Sequence, residues 1–246
     1  MNTRNWLNAL PAMNYIILSC EHASNAVPPF IAEIFSAEKE ILVSHRGYDI
    51  GAEAVFAELS DRVPLLLARK GQYTRLAIDC NRSKTHPNLF SDFTRSLSHT
   101  LQAELLKTWT DFRFPVQEQI STFLSQNHQQ NLLHLSIHSF TPVLHGKERH
   151  TEIGLLYDPR STKERSLAKI WKKNLRIKAP QCRVRLNYPY QGKSDGHTSF
   201  LRQKFGARYL GIEVEMNQAW LATLNPAQIA KLLADTLPTS LLSTAL

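Results

Sequence analysis

The chain has 246 residues, 43% hydrophobic and 20% charged, with nine glycines and twelve prolines, a globular composition that excludes disorder, collagen and coiled coil. Lys and Arg outnumber Asp and Glu by 29 to 21, a formal net charge of +8, which favours an anionic partner without choosing between a small carboxylate and a nucleic acid. Cys20, Cys80 and Cys182 are widely spaced with no CxxC pair, which argues against a disulfide framework or a thiolate zinc site and for a reducing compartment.

In the N-terminal stretch the longest apolar run, Tyr15 to Leu18, is too short for a signal h-region, and no later segment approaches the roughly 20 apolar residues of a membrane span. A cytoplasmic protein with no membrane partner is expected. No repeat or long linker interrupts the chain, so a single domain over residues 1–246 is expected.

Tyr15–Cys20 reads as a buried strand that stops at Glu21 and His22. Gly51–Val63 has Ala54, Val55 and Leu59 at helical spacing, with Asp49 placed to cap its N-terminus. Pro64–Ala68 and Leu76–Cys80 read as two further strands. Ser98–Leu124 carries Leu101, Leu105, Trp109 and Phe112 along one helical stripe, and Pro115 is expected to break it into two helices. Leu132–His138 and Thr151–Tyr157 read as strands, and Ser166–Leu175 as a helix. Its neighbours Lys172, Lys173, Arg176 and Lys178 read as a solvated face suited to a helix C-terminus. A weak strand at Arg183–Leu186, a turn-rich loop at Asn187–His197, a strand at Tyr209–Glu215 and an amphipathic helix at Pro226–Leu237 complete the chain. Strands alternating with helices predict an α/β sandwich with a mainly parallel or mixed sheet, whose ligand crevice lies beyond the carboxyl ends of the strands.

Four of these predicted strands end in reactive residues: Glu21–His22, Asp79–Arg82, His138 and Glu215. Two His and a carboxylate form a common zinc-ligand set, and His22 and His138 suit it, although each can equally be a hydrogen-bonded structural residue. Asp49 and Glu21 are the candidate carboxylates, with a helix cap and a solvated loop acid as their plain alternatives. Arg82 with Asn81 can hold an acidic substrate by bidentate bonds, or Arg82 can simply pair with Asp79. Glu215 suits a general base, and Glu213 shares its face of the strand, one of the two serving as ligand or base and the other as its support. Tyr190, His197 and Thr198 are polar groups of a turn-rich loop able to line a pocket. Ser139 lacks a GxSxG elbow, and no GxGxxG or GxxxxGK[ST] loop is present. The basic residues are dispersed, so no nucleic-acid partner is expected.

Taken together and in order, SCEHASNAVP, GYDIGA, RLAIDCNRS, IHSFTP, EIGLLYD, NYPYQGKSDGHT and IEVEMNQ resemble the N-formylglutamate amidohydrolase family over roughly Ile16 to Leu221. The resemblance implies a three-layer α/β/α sandwich with a mixed, mainly parallel central sheet, similar to the zinc carboxypeptidases and aspartoacylases. It implies His22 and His138 as metal ligands and zinc, or another divalent ion, as cofactor. Asn25 stands where zinc carboxypeptidases carry a Glu ligand three residues after the first His, so Asp49 is taken as third ligand with Glu21 as the alternative. Asn81 and Arg82 would hold the substrate carboxylate, with Arg82 and Glu215 as the catalytic pair. Tyr190, His197 and Thr198 would cover the pocket. The implied activity is hydrolysis, by metal-activated water, of the amide of a small anionic N-acyl amino acid, for instance an N-formyl one. The alternative is a non-catalytic binder of a small acidic ligand on the same fold.

Overall fold

The structure, a computed structural model, describes residues 16–238. In chain order the strands are β1 (Ile16–Cys20), β2 (Leu65–Lys70), β3 (Leu132–Phe140), β4 (Val143–Leu144), β5 (Lys147–Glu148), β6 (Ile153–Leu156), β7 (Val184–Leu186) and β8 (Tyr209–Asn217). The helices are α1 (Lys39–Leu42), α2 (Ala52–Ser60), α3 (His99–Gln126), α4 (Thr162–Lys178), α5 (His197–Phe205), α6 (Gln218–Leu221) and α7 (Pro226–Thr236). Six strands form one sheet in the order β2-β1-β3-β8-β6-β7, and β4 and β5 form a separate hairpin. All neighbours in the sheet are parallel except β6 and β8. The mixed, mainly parallel sheet is therefore observed.

Alternation along the central strands builds two different faces. Leu133, Leu135 and Ile137 of β3 join Ile212, Val214 and Met216 of β8 in a core shared with Val55 of α2, Trp171 of α4 and Leu233 of α7. Each such side chain contributes about 1.5–3 kcal/mol by leaving water. On the opposite face Ile17, Leu132 and Tyr209 pack against Val116 and Ile120 of α3 and Leu201 of α5. That second face is apolar only at its start. Towards the carboxyl ends the same face carries Ser19, His134, Ser136, His138 and Glu215, all buried. A functional centre is thereby placed where parallel strands end, as the α/β architecture favours.

Several expectations are corrected. Leu76–Cys80 is not a strand but a turn segment whose bonds are local, with Ala77 N–H donating to Thr74 O (3.0 Å) and Asp79 N–H to Leu89 O (2.9 Å). Its apolar residues pack on Ile31, Phe35 and Leu105 instead of pairing. Pro115 does not break the long helix, which runs unbroken through it. The carbonyl that Pro115 leaves without a helical donor is that of Asp111, and Arg69 Nη2 of β2 donates to it at 2.7 Å. Asp49 does not cap α2, whose N-cap is Gly51 in the left-handed region (φ 81°). The segment after the Asn187–His197 loop forms α5, a nine-residue helix the sequence reading did not anticipate. Tyr15, expected to open the first strand, lies outside the described residues, as does most of the stretch read for a leader. No helix among the described residues is long and apolar enough to cross a membrane.

Candidate active site

A cleft of about 300 Å³ opens above the carboxyl ends of the parallel strands, lined by His22, Asp49, Arg75, Asn81, Arg82, His138, Tyr190, Glu213 and Glu215 among others. At its floor one ligand atom each from His22, Asp49 and His138 lie within 4.8 Å of one another, and all three residues are buried. Two of the three come from points where a strand ends or leaves its apolar stretch. Asp49 arrives from the turn before α2, where its backbone N–H bonds to His22 O (3.0 Å) and its carboxylate is free to face inward.

Hydrogen bonds orient each imidazole. Glu21 is held well below the usual carboxylate range: burial opposes this, and its bonds to His138 and His197 prevail. As an anion it accepts from Ser19 Oγ (2.8 Å), Ser136 Oγ (2.6 Å) and His197 Nδ1 (2.9 Å). The single Ser136 proton is thus engaged, so His138 Nε2, 2.8 Å away, must donate to Ser136 Oγ. His22 Nε2 donates in the same way to Asp79 Oδ1 at 2.7 Å. Asp79 is ionised, since the His22 charge and the Arg75 and Arg82 guanidinium groups overcome its burial. Both imidazoles turn Nδ1 towards Asp49, whose Oδ2 is 2.8 Å from His138 Nδ1 and 3.5 Å from His22 Nδ1. Burial opposes protonation of both rings, yet the bonds to Asp49 and Glu21 hold His138 well above its ordinary value, and Asp79 and Asp49 raise His22 against burial and Arg75. The His22 Nδ1 is buried and makes no hydrogen bond to a described residue. A divalent cation among these three atoms would take the place of the imidazole protons and offset the Asp49 charge, since metal ligands bind deprotonated. Two imidazoles, each braced by an outer acceptor, plus a carboxylate held by Arg75 form a donor set that fits zinc.

Glu215 stands beside this cluster, opposite His138 in the β3–β8 register. Its side chain makes no hydrogen bond or ion pair with another described residue, its Oε2 is buried, and burial lifts its carboxyl to about 7. Gly154 faces it on β6, where any Cβ would collide with the carbonyl of Tyr188, so a glycine is required for the Tyr188–Tyr190 loop to close over this point. Arg75 bridges Asp49 (3.1 Å) and Asp79 (3.2 Å) at the cleft wall.

Asn81 Oδ1 accepts from His197 N–H at 2.8 Å, which turns its Nδ2 donors outward. Gly196 permits that approach, since a Cβ there would stand 3.2 Å from Asn81 Oδ1. Arg82 Nη1 donates to Asp195 O (3.1 Å), and its Nε lies 3.8 Å from Asp79, so the ion pair read as its plain alternative is loose. Both residues line the cleft, as does Tyr190, which is 45% exposed.

Three site expectations are corrected by these positions. Glu21 is neither solvated nor beside Asp49; it faces the far edge of His138, Nε2 to Oε2 3.4 Å. His197 and Thr198 are fully buried and do not line the cleft. As the first residues of α5, both turn towards the sheet, His197 onto Glu21 and Thr198 onto Glu213 (2.5 Å). Arg75, the outer roles of Asp79 and Ser136, and the lining residues Gln191, Ser194 and Asp195 were missed. Alternation along β3, which puts His134, Ser136 and His138 on one face, was the available signal for Ser136.

The model of the N-formylglutamate amidohydrolases matches residues 15–222. The chain belongs to the N-formylglutamate amidohydrolase family. Among solved structures, a gene product of Agrobacterium tumefaciens is 26% identical with a TM-score of 0.77, over 94% of this chain and 91% of that one. An N-formylglutamate amidohydrolase from Ralstonia eutropha JMP134 is 14% identical with a TM-score of 0.65, over 95% of each chain, and shares the fold. No curated protein sequence matches significantly. Membership of the N-formylglutamate amidohydrolases makes this protein a member of a hydrolase family acting on amides.

Proposed function

We propose that this protein hydrolyses the amide of a small N-acyl amino acid, with zinc held by His22, Asp49 and His138. The observation that carries the reading is the convergence of these three donors beside Glu215, a buried carboxylate whose side chain has no hydrogen-bond partner among the described residues. When bound, zinc supplies Lewis acidity towards the amide carbonyl and the attacking water.

The chain's own groups account for the remaining steps. Arg82 and the Asn81 Nδ2 donors grip the free carboxylate and orient the amide over the floor of the cleft. Glu215, poised near 7 by burial, takes a proton from water as the oxygen bonds to the carbonyl carbon, and returns it to nitrogen as the C–N bond breaks. Arg75 stands beside Asp49 as a fixed cation where negative charge develops on the carbonyl oxygen. Tyr190 and the loop before α5 cover the mouth.

The test is Glu215→Gln assayed on N-formyl amino acids with added zinc. Turnover should fall at least ~100-fold while zinc content, measured by elemental analysis, is unchanged and Asp49→Ala loses it. Undiminished turnover in Glu215→Gln would remove this residue from the chemistry. A wild-type protein that retains no zinc, and gains no activity when zinc is added, would leave only a binder of small acidic ligands.

A further inference from the structure

The charges that line the cleft are unequal to the task of holding a substrate with two carboxylates. Of the two lining cations, Arg75 is already engaged by both Asp49 and Asp79. Arg82 and Asn81 are the groups available to a substrate α-carboxylate. Arg149 stacks on Tyr190 (5.4 Å) but does not line the cleft. The remaining lining carboxylates, apart from the metal cluster and Glu215, are Glu213 and Asp195.

Glu213 is placed as an acceptor. It sits two residues before Glu215 on the same face of β8, between Ser136 of β3 and Leu156 of β6 in register. Thr198 of α5 donates to its Oε1 and so fixes the carboxylate. Its Oε2 bonds to no described residue and is not among the buried unpartnered atoms, which leaves that oxygen open to the cleft. Asp195 adds a second carboxylate on the loop that holds Arg82 and Ser83.

We propose that Glu213 is the specificity-determining residue of the cleft. It selects N-acyl amino acids whose side chain donates hydrogen bonds, a carboxamide or an ammonium group, over those with a second carboxylate. The inference rests on the amidohydrolase reading above. A donor from the substrate completes the bonding of Glu213, whereas a substrate carboxylate meets like charge and leaves Glu213 Oε2 without a donor. A site built around a polar group discriminates sharply against a ligand that cannot pair with it.

The experiment measures kcat/KM of the zinc-supplemented full chain for N-formyl-glutamine, N-formyl-lysine and N-formyl-glutamate, in wild type and Glu213→Gln. Wild type should favour the better of the two donor-bearing substrates over the glutamate derivative by at least tenfold. In Glu213→Gln, which retains an acceptor for Thr198, that ratio should shrink about tenfold or more, chiefly through KM. Preference of wild type for the glutamate derivative would overturn the inference while leaving the amidohydrolase reading intact. So would an unchanged ratio in Glu213→Gln. If the variant does not fold, the wild-type ratio alone decides, and Glu213→Ala supplies the second comparison. If none of the three compounds is hydrolysed by wild type, the amidohydrolase reading itself has failed, and with it the inference.

Discussion

Arg113 is fully buried in α3, with its guanidinium 4.5 Å from the Trp109 ring and 4.8 Å from that of Phe200. Burial lowers its pKa to about 10, so it stays charged at neutral pH. Its Nη1 donates to the carbonyls of Cys80 (3.3 Å) and Arg82 (2.9 Å), and Trp109 Nε1 donates to the latter as well (3.0 Å). These bonds hold the backbone on either side of Asn81 without touching substrate, a positioning role. Arg113→Lys keeps the charge but loses the planar fork. It should raise KM for carboxylate-bearing substrates about tenfold while kcat changes less than threefold, in steady-state kinetics. Equal losses in kcat and KM would point to general damage instead. At this scale His22, His138, Asn81, Arg82 and Glu215 were legible in the sequence because each lies in a short motif. Glu21 was misjudged because its partners Ser136 and His197 lie over 100 residues away, and Glu213 was noticed only as a companion of Glu215 because its partner Thr198 sits on the unanticipated α5.

At the scale of elements, α3 shows how a local rule is overridden. Pro115 removes one helical bond, yet Arg69 donates to the exposed Asp111 carbonyl and the helix continues to Gln126. A proline costs a helix interior about 3 kcal/mol relative to alanine, part of which Arg69 already offsets. Pro115→Ala should therefore raise stability by roughly 1–2 kcal/mol, read as a higher denaturation midpoint. A fall in the midpoint would mean that the proline ring itself packs productively. Most elements were readable from their periodicity: β3, β8 and α7 were placed within about two residues of their observed ends. Leu76–Cys80 was misread because an apolar run alone does not distinguish a paired strand from a buried turn. Here Thr74 Oγ1 accepts from Leu76 N–H (3.2 Å) and local turn bonds win. The nine-residue α5 escaped because its inward residues His197 and Thr198 are polar, and their partners Glu21 and Glu213 lie on the sheet.

Across the whole molecule, a chain of buried bonds ties the sheet to the cleft. Tyr209 donates to His134 Nδ1 (2.7 Å), His134 Nε2 to Ser19 (2.7 Å), and Ser19 to Glu21. Desolvation pushes His134 down to about 3 and His197 to about 4 from an ordinary value near 6.5. Both are therefore neutral in the folded protein over a range where the unfolded chain is protonated. The stability they contribute is fully present above pH 6.5 and is lost as pH falls towards their folded values. Glu215, raised to about 7, acts with the opposite sign in the same window, so the effect is read by difference: between pH 6.5 and 5 the metal-free wild type should lose about one proton's worth, roughly 1–2 kcal/mol, relative to His134→Gln in urea midpoints. An equal slope in the variant would place the acid sensitivity elsewhere.

Sequence alone determined the α/β class, the family resemblance and the short motifs from which the cleft is made, because periodicity and local spacing are properties of contiguous residues. Only the tertiary structure placed Asp49 and Glu21, both acids the sequence left open, on different sides of His138. Strand alternation sends Glu21 behind His138 to collect three donors, while the turn before α2 brings Asp49 to the Nδ1 side of both imidazoles. Which lone pair faces which charge depends on distances between distant segments, and those are set by packing.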